Sequence, residues 1–171
     1  MLKKLISIFI ISAVSFSCLT SAFAAENSET INSNENMNTL TLIEDNGQSY
    51  EEEIINVNGR ESGSYETTFS IKGGVYTKQS WNVSKTPTFS VTITTNEFEG
   101  ADLGLDTSYT VYLEKKGTLG YAPIDEGDIA IEEGYTDTVT LEGDGKGTYR
   151  IYVRNWSGFE ASGNLNIKFN Y

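Results

Sequence analysis

From Thr39 to Tyr171 the apolar residues recur with a period of two, and no stretch repeats them at the three-and-four spacing of an amphipathic helix. Alternation of that kind puts one face of an extended chain into a core and leaves the other in water. Tyr65, Phe69 and Ile71 share one face, and after Gly73-Gly74 so do Val75, Trp81 and Val83. The pattern continues through Phe89, Val91 and Ile93, then Tyr109, Val111 and Leu113, then Val139 and Leu141. It returns in Tyr149, Ile151 and Val153, and in Leu165, Ile167, Phe169 and Tyr171. Shorter candidates are Leu40-Leu42, Ile55-Val57 and Ile129-Ile131. The sequence predicts an all-β domain of about nine to ten strands, with little or no helix. Strands with one apolar face each suit an antiparallel two-sheet sandwich, with a closed barrel as the alternative. Gly73-Gly74 is expected to turn a tight hairpin through positive φ, and 143–147 (GDGKG) a second hairpin loop. The acidic stretches 97–105 and 117–134 read as longer loops.

Ahead of this region the chain changes character. Lys3 and Lys4, the apolar run Leu5 to Phe16 and Ala22-Phe23-Ala24 form the three parts of a secretory leader, residues 1–24, cut before Ala25. Its apolar run is shorter than the roughly 20 residues a membrane span needs. The polar stretch up to Asn38 cannot bury enough surface to order itself and reads as a tether, residues 25–38. Residues 39–171 remain for a single domain, expected outside the cell as a released monomer.

The leader also contains Cys18, the only cysteine, and the chain has no histidine. An exported product therefore lacks both thiol and imidazole, which removes the usual bases and nucleophiles of acyl transfer and the ligands of structural zinc. The formal net charge of −12 becomes more negative once Lys3 and Lys4 leave. Such a surface disfavours nucleic acid and stable insertion into an anionic membrane. Carboxylates are the reactive group in supply. Asp102, Asp106, Asp125, Asp128 and Asp144 are the candidate ligands if calcium binds, since that ion takes six to eight oxygens from flexible acidic loops. A pair of carboxylates about 5 to 10 Å apart is also all that glycoside hydrolysis requires.

Aromatic residues supply a second constellation. Alternation buries Tyr65, Phe69, Trp81, Phe89, Tyr109, Tyr149, Phe169 and Tyr171, and turns Tyr76, Tyr112 and Tyr152 outward. Arg150 and Arg154 share the outward face of Tyr152, and Trp156 and Phe159 fall in the turn that follows. Flat aromatics beside hydrogen-bonding groups can stack on sugars or anchor a protein. Tyr112, Arg150, Tyr152, Arg154, Trp156 and Phe159 are the candidate ligand-binding residues.

Residues 147–155 (GTYRIYVRN), the turn Ser157-Gly158 and residues 163–167 (GNLNI) resemble the closing hairpin of bacterial pre-peptidase C-terminal domains. Residues 109–113 (YTVYL) resemble an earlier strand of that family, so the likeness spans about 89–171. It implies a secreted jelly-roll-like sandwich, often appended to exoenzymes, that in some members binds collagen, glycans or calcium. The expectation is a secreted bacterial, non-catalytic β-sandwich that binds an extracellular glycan or protein, with calcium as the candidate assisting ion. The alternatives are a small carboxylate-dependent glycan hydrolase and a secreted toxin-like protein.

Overall fold

A computed structural model of the chain describes residues 38–57, 62–104 and 107–171. The leader, the tether up to residue 37 and Asp106 lie outside the described residues. The strands are β1 (Asn38–Thr39), β2 (Leu42–Glu44), β3 (Glu53–Asn56), β4 (Ser62–Ile71), β5 (Gly74–Thr77) and β6 (Gln79–Val83). They continue with β7 (Thr88–Phe98), β8 (Ser108–Gly117), β9 (Gly120–Ala130), β10 (Thr136–Glu142), β11 (Gly147–Asn155) and β12 (Ala161–Asn170). Among the described residues a single 3₁₀ turn, Ala101–Leu103, is the one helical element.

Two sheets face each other, as the alternation requires. One runs in the order β1-β4-β12-β7-β10. In the other, β11 lies between β8 and the β5/β6 pair, β9 flanks β8, and β2 and β3 flank β5 and β6. From β4 onward the chain passes back and forth between the sheets, which gives the jelly-roll character. Among the described residues all pairings are antiparallel except two short ones, β1 on β4 and β3 on β6.

The inward faces form one core. Trp81, Phe89, Tyr109, Tyr149 and Phe169 are fully buried, joined by Tyr65 and Phe69. Their rings meet at centroid distances of 5.4 Å for Trp81 with Phe89 and 5.8 Å for Phe69 with Tyr109, the latter edge to face. Tyr171 packs on the rim of the core and donates to the Val57 carbonyl.

Three expected hairpins are crossovers between sheets. Strands β4 and β5 belong to opposite sheets, so Gly73-Gly74 carries the chain over the sandwich edge, and neither glycine has positive φ. The same holds for residues 143–147 between β10 and β11, and for the turn between β11 and β12. Period-two faces show which side of a strand is buried but not which neighbour it pairs with. Both members of each pair point apolar side chains at one core from opposite layers.

One acidic loop is a strand. Residues 120–130 (GYAPIDEGDIA) form β9, which pairs along β8 as a true hairpin through Thr118 and Leu119. It is an edge strand, and Pro123 with its carboxylates disguise it, as exposed edges avoid apolar alternation. A Cβ on Gly127 would overlap Val139 of β10, so this glycine lets β9 lie against the other sheet's edge.

Candidate functional site

The outward face of the β11-centred sheet contains the aromatic cluster. Register places Tyr76, Tyr152 and Tyr112 in one row across β5, β11 and β8. Adjacent side chains on one sheet face are close enough for ring contact. Tyr76 and Tyr152 stack with centroids 4.4 Å apart, and Tyr152 and Tyr112 stack at 5.7 Å. Gly74 makes room for this row. A Cβ there would come within 2.6 Å of Cε2 in the Tyr152 ring.

Arg150 anchors one end of the face. Its Nε donates to Glu114 Oε2 at 2.6 Å and its Nη1 to the Tyr50 hydroxyl at 2.7 Å. The guanidinium lies between two rings, 4.0 Å from the centroid of Tyr76 and 4.1 Å from that of Tyr121. Burial works against the charge on Arg150, and the hydrogen bond and charge of Glu114 outweigh it, so its pKa is raised above the usual arginine value. Tyr121 donates to Glu52, which also accepts from Lys116. Burial pushes the Glu52 carboxyl upward, but those two donors and Ser80 bring it below the ordinary value. Burial, with the charge of Asp45 next, pushes the Tyr76 phenol up to about 12.

The other end is open. Tyr112, Glu114, Pro123, Tyr152, Arg154 and Trp156 line a shallow cleft of about 370 Å³. Trp156 is 60% exposed, yet its orientation is set. Its Nε1 donates to Thr110 Oγ1 at 3.0 Å, and Thr110 in turn donates to Asp128 Oδ1 at 2.7 Å. The Arg154 guanidinium sits 4.9 Å from the indole centroid, and its Nη1 donates to Tyr152 Oη at 3.4 Å. Tyr152 donates onward to Asp45 at 2.9 Å.

Five of the six predicted ligand-binding residues thus lie on one face: Tyr112, Arg150, Tyr152, Arg154 and Trp156. Phe159 does not join them, because its ring packs against the core and its backbone closes the turn through Asn155 and Ser157. Sequence reasoning missed Glu114, Thr110, Pro123, Tyr121, Tyr50 and Glu52. The register that sets Glu114 opposite Arg150 would have revealed the first of these.

The predicted calcium ligands are dispersed, with Asp106 outside the described residues. Asp102 is exposed in the 3₁₀ turn. Asp125 accepts from the backbone of Glu126 and Glu142, joining β9 to the end of β10. Asp128 holds Thr110, and Asp144 pairs with Lys115 at 2.6 Å and accepts from Tyr149. The hydrogen bond from Lys115 holds the Asp144 carboxyl below its usual range. Among the described residues no three acids converge on a point where an ion could sit.

A second depression, of about 480 Å³, lies on the outward face of the other sheet. Its lining includes Thr68, Thr92, Thr94, Asn164, Asn166 and Glu66 and, among the described residues, no aromatic one. Neighbouring hydroxyls there satisfy one another, Thr92 with Thr138 at 2.7 Å and Thr94 with Thr136 at 2.8 Å.

No family model matches the chain, and no curated protein matches it. Among solved structures, a chain described as "CBM4 structure and function" superposes with a TM-score of 0.30 at 13% identity, covering 62% of this chain and 78% of its own.

Proposed function

We propose that this is an exported, non-catalytic glycan-binding module whose ligand lies in the cleft formed by Tyr112, Tyr152 and Trp156. The observation that carries the reading is the state of Trp156. A large indole is exposed at the mouth of a cleft, yet fixed by a hydrogen bond to Thr110 and stacked under Arg154. Leaving it in water forgoes its burial, while fixing it in advance lowers the ordering entropy lost on binding. Aromatic faces take the C–H face of a sugar ring, and Arg154 and Glu114 supply polar contacts at its edge. Residues 1–24, read as a secretory leader, would bring the module outside the cell, where polysaccharides occur.

Hydrolysis in this cleft is disfavoured by its acids. Among the described residues Glu114 is the one carboxylate lining it, and Arg150 occupies that group, whereas both hydrolytic mechanisms need a second across the sugar.

Affinity electrophoresis of residues 25–171 in gels containing soluble plant, fungal and bacterial polysaccharides tests the reading. The wild type is expected to be retarded by at least one polymer, and Trp156→Ala to lose that retardation with a thermal midpoint within a few degrees of wild type. Retardation unchanged by Trp156→Ala and Tyr112→Ala would overturn it.

A further inference from the structure

We infer that the cleft selects an acidic polysaccharide, one whose sugars carry carboxylates, and that Arg154 is the selecting group; this rests on the glycan-binding reading above. Strands β8 and β11 present four cations. Lys115 pairs with Asp144, Lys116 with Glu52 and Arg150 with Glu114. Arg154 has no carboxylate within ion-pair distance among the described residues. The chain has 24 carboxylates against 12 cations, so a lack of acids does not explain it.

The guanidinium of Arg154 makes one long hydrogen bond, to the Tyr152 hydroxyl at 3.4 Å. Its fork has five N–H donors, so its capacity is largely unused. The cleft's own carboxylate does not compete for it, because Glu114 is held by Arg150 at 2.6 Å. Asp45 accepts from Tyr152, and its charge reaches Arg154 without forming an ion pair. A planar guanidinium matches a planar carboxylate through two parallel hydrogen bonds, a fit that no sugar hydroxyl reproduces. The adjacent rings of Tyr112 and Trp156 receive the sugar, and Arg154, between Tyr152 and the indole, receives its acid. Acids more than about 8 Å away act weakly here at physiological salt, whereas Asp45 and Asp128 belong to the network around the cleft and are each held by a hydrogen bond, from Tyr152 and Thr110.

The probe pair is polygalacturonic acid and the same polymer methyl-esterified, which differ in the carboxylate alone. Wild type is expected to bind the free acid about ten- to a hundredfold more tightly than the ester, the range for a charge-assisted hydrogen bond. Arg154→Gln should bring free-acid affinity down to the ester's and leave ester affinity unchanged. Arg154→Lys should recover part of the loss. Equal affinity for acid and ester, or free-acid binding that survives Arg154→Gln, overturns the inference and leaves the glycan reading standing. So does binding confined to neutral xylan, mannan or cellulose derivatives. Binding to none of these polymers overturns both.

Discussion

Removing Arg150 should loosen the whole aromatic face, and the size of the effect follows from what its side chain touches. The Arg150 and Glu114 side chains are only 14% and 11% exposed, and their ion pair spans 2.6 Å. Arg150→Met keeps the aliphatic length over Tyr76 and Tyr121 but takes the charge away. Glu114 is then left nearly buried without its partner, and the Tyr50 hydroxyl loses its donor. Breaking a buried pair from one side costs about 3 to 5 kcal/mol. Glu114 can regain some hydration through the adjoining cleft, so the lower end, about 3 kcal/mol, is expected. For a domain of this size that is a fall of about 10 °C in thermal midpoint. The second variant isolates the cause. Glu114→Gln removes the stranded charge, and the double variant Glu114→Gln/Arg150→Met should recover about 2 kcal/mol relative to Arg150→Met alone. Urea unfolding followed by the emission of buried Trp81, with circular dichroism as a second probe, measures both. An Arg150→Met variant within about 0.5 kcal/mol of wild type would refute the reasoning, as would a double variant no more stable than the single one.

Further outcomes follow from the same geometry. Gly74→Ala must displace the Tyr152 ring, so it should cost about 1 to 3 kcal/mol and weaken polysaccharide retardation together, read by urea unfolding and affinity gels. Phe89→Ala opens the centre of the core beside Trp81, Tyr149 and Phe169 and should cost about 3 to 5 kcal/mol in urea. Because the Tyr76 phenol is raised from 10.0 to about 12, the folded state holds that proton more tightly than the unfolded chain. Its contribution is complete below pH 10 and is lost as pH rises from about 10 to 12, so Tyr76→Phe should flatten the fall of stability across that window. Phenolate absorbance at 295 nm should show late-titrating tyrosines whose total falls by one in Tyr76→Phe, since burial also raises Tyr109, Tyr121, Tyr149 and Tyr152.

The sequence carried the core almost completely, because burial at every second residue needs only local information. Each aromatic residue assigned inside is buried or packs on the core rim. Strand pairing was less legible, since β4 and β5 bury faces toward one core whether they lie side by side or in opposite layers. Strand β9 was hidden because an edge strand keeps polar residues on positions that a central strand would make apolar. Outward placement of Tyr76, Tyr112 and Tyr152 could be read, but their stacking into one row depends on the register of three strands. Phe159 and the aspartates show the limit from the other side. Composition marked them, yet their roles are set by neighbours distant in sequence, such as Thr110 for Asp128.

Trp156 offers the most direct test of the central claim. The chain has two tryptophans, Trp81 fully buried and Trp156 60% exposed, so the red-shifted part of its emission belongs to Trp156. Titrating residues 25–171 with polygalacturonic acid while recording that emission reports binding and its location together. A saturable blue shift, reached at about ten- to a hundredfold lower concentration of the free acid than of the methyl-esterified polymer, is the expected result. Binding detected in gels with the Trp156 emission unmoved would contradict the account.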